Sequence, residues 1–315
     1  MLSKSFNILS LLLCVFILGA AADRHSSSDM VEEYRPDGLY LKNTTIDELE
    51  KIYFVYQYKD YIFMPNWTYP PIFLQNFPKD YYNLKDTKKR NKLFIQILAP
   101  LALKLADETL RERYEIIDIQ NEFKKNFDLT PQQEKFIEEK AQKYDIFTRL
   151  KGSRRYELIF KQLLLKVDKV PPSLLIGVAA IESNWGTSRP VRLGNNLYKE
   201  LAWNTDEGLK PEGENEDDSY RIKIFPDLYE SMKSYALKIN SDINFEYMRF
   251  LRSEYRWREQ PVLGRTMAHT MLFASPLKNY AGLLDYTITF YELNNFDDAL
   301  LGTDEIPDKT RKLGQ

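Results

Sequence analysis

Cysteine is all but missing from this chain: Cys14 is the single one in 315 residues. No intrachain disulfide can form, and thiol chemistry has one candidate, itself inside an apolar N-terminal stretch. Histidine is nearly as scarce, with only His25 and His269, so neither a zinc site nor a Ser-His-Asp triad is favoured. No metal and no organic cofactor is expected. Twelve glycines are few for an all-β fold, which spends glycine on its many tight turns. Charge of one sign is lacking too: 44 Lys and Arg against 46 Asp and Glu leave a net −2. Nucleic-acid binding usually shows as a basic domain or stripe, so no such partner is expected. The apolar run near the N-terminus covers only residues 8–18, well short of the roughly 20 residues that span a bilayer. Chemistry must come from carboxylates, tyrosines, asparagines or hydroxyls.

Aromatics, in contrast, reach 14%, which suits an ordinary core as well as a sugar-binding surface. Residues 1–22 read as a secretory signal peptide: Lys4, the apolar run, then Ala20, Ala21 and Ala22 before Asp23. The expected location is the periplasm or the exterior, with cleavage after Ala22 and no stable membrane insertion afterwards; an uncleaved anchor is the alternative. A lipid anchor at Cys14 would need small residues just before it, and Leu12 and Leu13 are not small.

Residues 23–84 form an aromatic- and proline-rich extension with a polar start that reads as a flexible lead-in. Alternation over 56–63 hints at a strand, and Pro70-Pro71 would break it. Residues 85–166 read as a helical region packing on the catalytic domain. Leu93, Ile97, Leu101 and Leu105 recur at four-residue spacing, and Pro100 is a possible kink. Thr130-Pro131-Gln132-Gln133 is a capping-box start, and a further helix is expected over 154–166. Residues 167–300 form the domain that carries the chemistry, and 301–315 a polar tail.

The most informative stretch is residues 170–198, VPPSLLIGVAAIESNWGTSRPVRLGNNLY. Two prolines open a helix with no charge until Glu182, and a helix apolar on every side is a buried one. Leu175, Val178, Ala179 and Glu182 share one stripe, so a carboxyl group extends an apolar face. Desolvation disfavours the charged form of a carboxyl, and a protonated carboxyl is what a glycosidase needs to give a proton to a leaving sugar oxygen. A buried Glu paired with an Arg, or a helix-end Glu reaching water, is the plainer alternative.

The run IESNWGTSRPVRLGNNLY resembles the glucosaminidase signature of the Bax and flagellar-muramidase type, family 73 of the glycoside hydrolases. Tyr198 stands where that family usually has Phe. Residues 89–111 are similar to its upstream helical run, and 225–252 to its later "F.S...S...Y...LN....Y..FR" run. In 272–294 the resemblance aligns Tyr280 with a tyrosine that faces the acid across the groove, while Phe273 and Leu277 depart from the pattern. The resemblance implies a mainly α (α+β), lysozyme-like fold, with a small β lobe flanking a groove and the N-terminal extension added. It implies Glu182 as general acid and Tyr280 as its catalytic partner, with Ser183, Trp185, Asn195, Asn196, Tyr247 and Arg249 contacting substrate. Tyr220 to Phe225 alternates like a strand of the β lobe. The acidic insertion over 201–219 offers Glu207 and Glu212 as a second carboxylate; without one, the substrate's own acetamido group could assist. The implied function is an exported endo-β-N-acetylglucosaminidase acting on peptidoglycan glycan strands. The alternatives are a lytic transglycosylase and a catalytically inactive wall-binding scaffold of the same fold.

Overall fold

The computed structural model describes residues 29–62, 64–203, 205, 207–213, 219–271 and 278–302. The signal-peptide reading, Phe273, Leu277 and the tail beyond 302 lie outside the described residues.

Residues 31–50, within the 23–50 stretch expected as a flexible lead-in, form regular structure. β1 (Val31–Arg35) and β2 (Gly38–Lys42) form an antiparallel hairpin, and β2 pairs in parallel with β4 (Ile72–Leu74). Between them runs α1 (Ile46–Val55), started by a capping box in which Thr45 and Glu48 satisfy each other's backbone N–H groups. No strand forms among the described residues of 56–63: the end of α1 leads into turns, and Tyr58 and Tyr61 pack inward. The short β3 (Thr68–Tyr69) pairs in parallel with β7 (Leu300–Leu301), joining the N-terminal extension to the last described residues.

α2 (Thr87–Asn126) is the spine of the molecule. Asp86 caps its start through Lys88 N and Lys89 N. Its first half is buried on every side from Leu93 to Leu103, whereas its second half buries only Ile116, Ile119 and Phe123. The helix thereby serves two cores. Ile116 and Phe123 join Ile137 of α3 (Pro131–Lys143) and Ile159, Phe160 and Leu163 of α4 (Ser153–Lys166) in a satellite cluster. The expected capping box at Thr130 and Gln133 opens α3. The first half of α2 packs in the main core with extension aromatics Tyr53, Tyr58, Tyr69, Phe73 and Phe77 and with α5 (Pro172–Glu182). Each fully buried large apolar side chain contributes about 1.5–3 kcal/mol, so the extension is part of the support beneath α5.

The lobe beside α5 begins with α6 (Arg189–Gly194), followed by β5 (Leu201–Trp203) and β6 (Tyr220–Ile222), antiparallel with Leu201 opposite Ile222. α7 (Leu228–Ser241), α8 (Glu246–Trp257), α9 (Gly264–Ala268) and α10 (Tyr280–Phe290) complete the domain. The result is mainly helical with small sheets and an N-terminal extension, as the sequence leads one to expect. No described helix is long and apolar enough to cross a membrane.

α5 is fixed at both ends and along its side. At its start, Asp297 accepts from Ser173 N at 3.0 Å, Ser173 Oγ at 2.8 Å and Gly264 N at 2.7 Å; burial pushes the Asp297 carboxyl up to about 6. Along its length it closes on α10 at Gly177, where a Cβ would come within 2.9 Å of Leu284 Cδ1 and 3.1 Å of Ile288 Cγ1. Just ahead of it, Asp168 lies among Arg113, Arg252 and Arg256.

Candidate active site

Glu182 is the last residue of α5, and its side chain is 14% exposed. The helix before it is buried from Pro172 to Ala180, as its uncharged sequence predicts. Ser183 stops the helix: its Oγ donates to Ala179 O and accepts from Gly186 N. Asn184, Trp185 and Gly186 then take left-handed backbone (φ 50°, 55° and 77°), turning the chain sharply. A Cβ on Gly186 would meet the Phe77 ring at 2.9 Å, so this turn needs glycine for space as well as for φ. Trp185 packs against Tyr291 (ring centroids 4.5 Å apart) and Phe94 (5.5 Å), and its carbonyl accepts from Tyr81 OH. Ser183 and Trp185 therefore build the exit from α5.

The two asparagines also act on backbone. Asn195 ends α6 in left-handed conformation and donates to Phe225 O and Pro226 O. The buried Asn196 accepts from Tyr198 N and Glu200 N through Oδ1, and donates to Glu200 O and Lys223 O through Nδ2. It thus winds residues 196–200 into a tight turn, with Lys199 at φ 51°. The turn sends neighbouring side chains to different carboxyl partners. Lys199 Nζ lies 3.4 Å from Glu182 Oε2. Glu200 is buried, its Oε2 held by Lys223 Nζ at 3.1 Å and Ser234 Oγ at 3.0 Å.

Three tyrosines close the cluster. Tyr198 stacks on Tyr235 of α7, with ring centroids 4.1 Å apart and planes at 5°. Tyr280 begins α10 and is buried against α5. Burial, then the neighbouring Tyr235 and the Glu182 charge, pushes the Tyr280 phenol well above the usual tyrosine range. Burial and then the charges of Glu182 and Glu200 do the same to Tyr235. Both phenols therefore stay protonated at any ordinary pH and can donate. The Tyr280 phenol lies within hydrogen-bonding influence of the Glu182 carboxyl, and by strict geometry Glu182 Oε1, Tyr280 OH and Glu200 Oε1 have no partner among the described residues. Native interiors rarely leave such atoms unpaired, and several together mark a place prepared for a polar ligand.

The structure thus brings Glu182 and Tyr280 together, with Ser183, Trp185, Asn195 and Asn196 shaping the turns around them. Arg249 differs from its expected place on a groove wall. It is 3% exposed, and its Nη1 donates to Ile239 O at 2.8 Å and Asp242 O at 2.7 Å, so it ties α8 to the end of α7. Tyr247, two residues earlier, is 65% exposed on α8. Glu207 is exposed, and Glu212 is paired with Arg189 at 3.4 Å on the surface; neither is among the groups that face Glu182, Tyr235 or Tyr280. Sequence reasoning missed Lys199, Glu200 and Tyr235 as members of the cluster. The signal for the first two lay in their position, directly after the Asn-Asn turn that follows the Glu182 motif.

Residues 159–291 match the Glucosaminidase family, described as mannosyl-glycoprotein endo-beta-N-acetylglucosaminidase. The chain is similar to Protein bax of Escherichia coli (strain K12), 28% identical over 165 residues that cover 50% of this chain and 56% of that protein. The chain therefore spans about half the length of the curated relative it matches. Among solved structures, the catalytic domain of the autolysin Auto from Listeria monocytogenes aligns at 20% identity, covering 56% of this chain and 95% of that one, with a TM-score of 0.29.

Proposed function

For a chain that is a Bax-like glucosaminidase-domain protein, we propose the activity of an exported endo-β-N-acetylglucosaminidase that hydrolyses peptidoglycan glycan strands, with Glu182 as general acid. The observation that carries this reading is the convergence of Glu182 with protonated Tyr280 and Tyr235, leaving Glu182 Oε1 and Tyr280 OH unpartnered. A carboxyl and a phenol held by the rigid α5–α10 contact can meet a sugar ring without reorganising, which is how preorganised sites lower barriers.

The carboxyl of Glu182 hands its proton to the glycosidic oxygen as the bond to the anomeric carbon breaks. In this reading the attack is assigned to the substrate's acetamido oxygen, which bonds to the anomeric carbon as the leaving group departs. The Tyr280 hydroxyl steadies that acetamido group. Water then opens the cyclic intermediate and gives a proton back to the Glu182 carboxylate, so the anomeric configuration is retained. Export follows from the signal-like residues 1–22.

The test is a digest of purified peptidoglycan by the processed protein and by Glu182→Gln, read by mass spectrometry. New reducing N-acetylglucosamine ends, missing with the variant, are expected. Anhydro-muramyl ends would move the protein to the lytic transglycosylases. Strands bound but left intact by folded protein would leave a wall-binding scaffold, and trimming only of a high-mannose glycoprotein would replace the substrate.

A further inference from the structure

The family match begins at residue 159, yet the turn that follows Glu182 is braced by residues well upstream of it. Trp185 is a bulky residue in left-handed backbone, between Asn184 and Gly186 in the same region. Such backbone persists only where its surroundings over-determine it. From within the domain, Trp185 N donates to Ala180 O and Gly186 N to Ser183 Oγ, at 2.8 Å each. Further braces come from the stretch that ends the extension and opens α2. Tyr81 OH donates to Trp185 O at 2.9 Å, nearer than its other acceptor, Arg90 O, at 3.2 Å. The Phe77 ring lies against Gly186, and Phe94 meets the Trp185 ring edge-on. Phe77 also stacks on Phe94 and packs on Tyr81, so the three rings form one unit. Asn91 Nδ2 donates to Tyr291 OH at 2.7 Å and so fixes a further ring packed on Trp185.

We propose that this upstream stretch, residues 77–94, is a working part of the catalytic site, and that Tyr81 is a positioning residue: its hydrogen bond to Trp185 O fixes the turn after Glu182, and with it the direction in which the Glu182 side chain leaves α5. The inference rests on Glu182 acting as the acid of the reaction proposed above. Tyr81 is fully buried, and burial pushes its phenol well above the usual tyrosine range, so its proton stays available to Trp185 O at any working pH. Phe77 and Phe94 supply shape to this wall, whereas Tyr81 adds a directional bond to the backbone of the turn. Because Trp185 N is bonded to Ala180 O, a tilt at Trp185 pulls on the last turn of α5, which carries Glu182. Displacing a reacting group by about 1 Å can cost about a hundredfold in rate, even when the change lies far from the chemistry.

The test uses the full chain and has one arm without substrate. Tyr81→Phe removes the hydroxyl and keeps the ring. Tyr69→Phe is its control, since it removes an equally buried hydroxyl whose bond to Tyr61 O stays within the extension. Labelling with 5-fluorotryptophan gives a fluorine resonance for each of the four tryptophans. Trp67→Phe, Trp203→Phe and Trp257→Phe, all at exposed positions, assign three of them and leave the last to Trp185. Tyr81→Phe is expected to move or broaden the Trp185 resonance, and Tyr69→Phe to leave it in place. Asn91→Ala, which releases the Tyr291 ring and keeps Tyr81, is expected to move the same resonance. With glycan strands, Tyr81→Phe is expected to lower kcat about tenfold and to change KM by less than about twofold, the pattern of an interaction that serves the transition state. Tyr69→Phe is expected to keep the wild-type kcat. A Trp185 resonance that stays in place in both Tyr81→Phe and Asn91→Ala would overturn the proposal. So would a wild-type kcat in Tyr81→Phe, or an equal loss of kcat in Tyr69→Phe. If the wild type cuts no glycan, the proposed reaction fails on its own account, while the fluorine resonance still decides whether Tyr81 holds the turn.

Discussion

Asp168 and Glu182 lie on either side of α5, and the protein treats the two carboxylates differently. Asp168 has both oxygens committed. Oδ1 accepts from Lys169 N and Arg256 Nη2 at 2.8 Å each, and Oδ2 accepts from Arg256 Nε at 2.9 Å, with Arg113 and Arg252 within 4.0 Å. Its side chain is 3% exposed. Burial works against its charge, but the three guanidiniums outweigh it and hold the carboxyl below the usual aspartate range. Arg252 spends its remaining donors on the carbonyls of Leu165, Lys166, Asp168 and Lys169 and on Asn240, so the knot joins α4, the segment that leads into α5, α7 and α8. Glu182 has one oxygen near a half-exposed lysine and the other without a partner. A fully bonded carboxylate holds the fold; a partly bonded one is available to a ligand.

The contrast can be broken most violently at the knot. Asp168→Asn leaves buried guanidiniums without their countercharge, and removing one partner of a buried pair costs about 3–5 kcal/mol. Chemical denaturation should show that loss at pH 7. Because the folded-state pKa of Asp168 is lowered, its stabilisation is present above the unfolded aspartate range, near pH 4. It is lost as pH falls through the lower folded value. The gap between wild type and Asp168→Asn should therefore narrow below about pH 4, and a gap that does not change with pH would remove Asp168 from its charged role.

At the site the effects should fall on rate. Tyr280→Phe removes a hydroxyl that has no partner within the described protein, so stability should change by less than about 1 kcal/mol. Cleavage should drop by about a hundredfold, or about 2.7 kcal/mol of barrier, and a variant as active as wild type would detach Tyr280 from the chemistry. The smallest effects belong to the loop. Glu207→Gln and Glu212→Gln should each change kcat by less than about twofold, since surface substitutions away from special contacts alter little. A large loss in either one would restore a two-carboxylate mechanism.

What the sequence made legible follows from how local each signal is. The buried α5, Glu182 at its end, and the capping box at Thr130 could be read because periodicity and capping act over a few residues. The capping box at Thr45 and Glu48 carried the same signal and went unread, while the strand hint lay over 56–63, beyond α1. Ser183, Trp185, Asn195 and Asn196 were found as a motif, while the direction of their side chains was not. Their bonds run to backbone around two sharp turns, and only the fold reveals that. Arg249 was misplaced for a related reason: a charged residue beside an exposed Tyr247 reads as surface, yet it is consumed by two carbonyls. The meeting of Lys199, Glu200, Tyr235 and Tyr280 brings together the 196–200 turn, α7 and α10, which no window of sequence spans.

The most direct test of the difference between the two carboxylates pairs a thermal melt with a cleavage assay on Glu182→Gln. The substitution removes a half-exposed ion pair, worth at most about 1 kcal/mol, so the melt should stay close to that of the wild type. Cleavage should fall by about 10²–10⁴-fold. A Glu182→Gln protein that still cuts glycan strands, or one that loses activity only because it has lost its fold, would contradict the account.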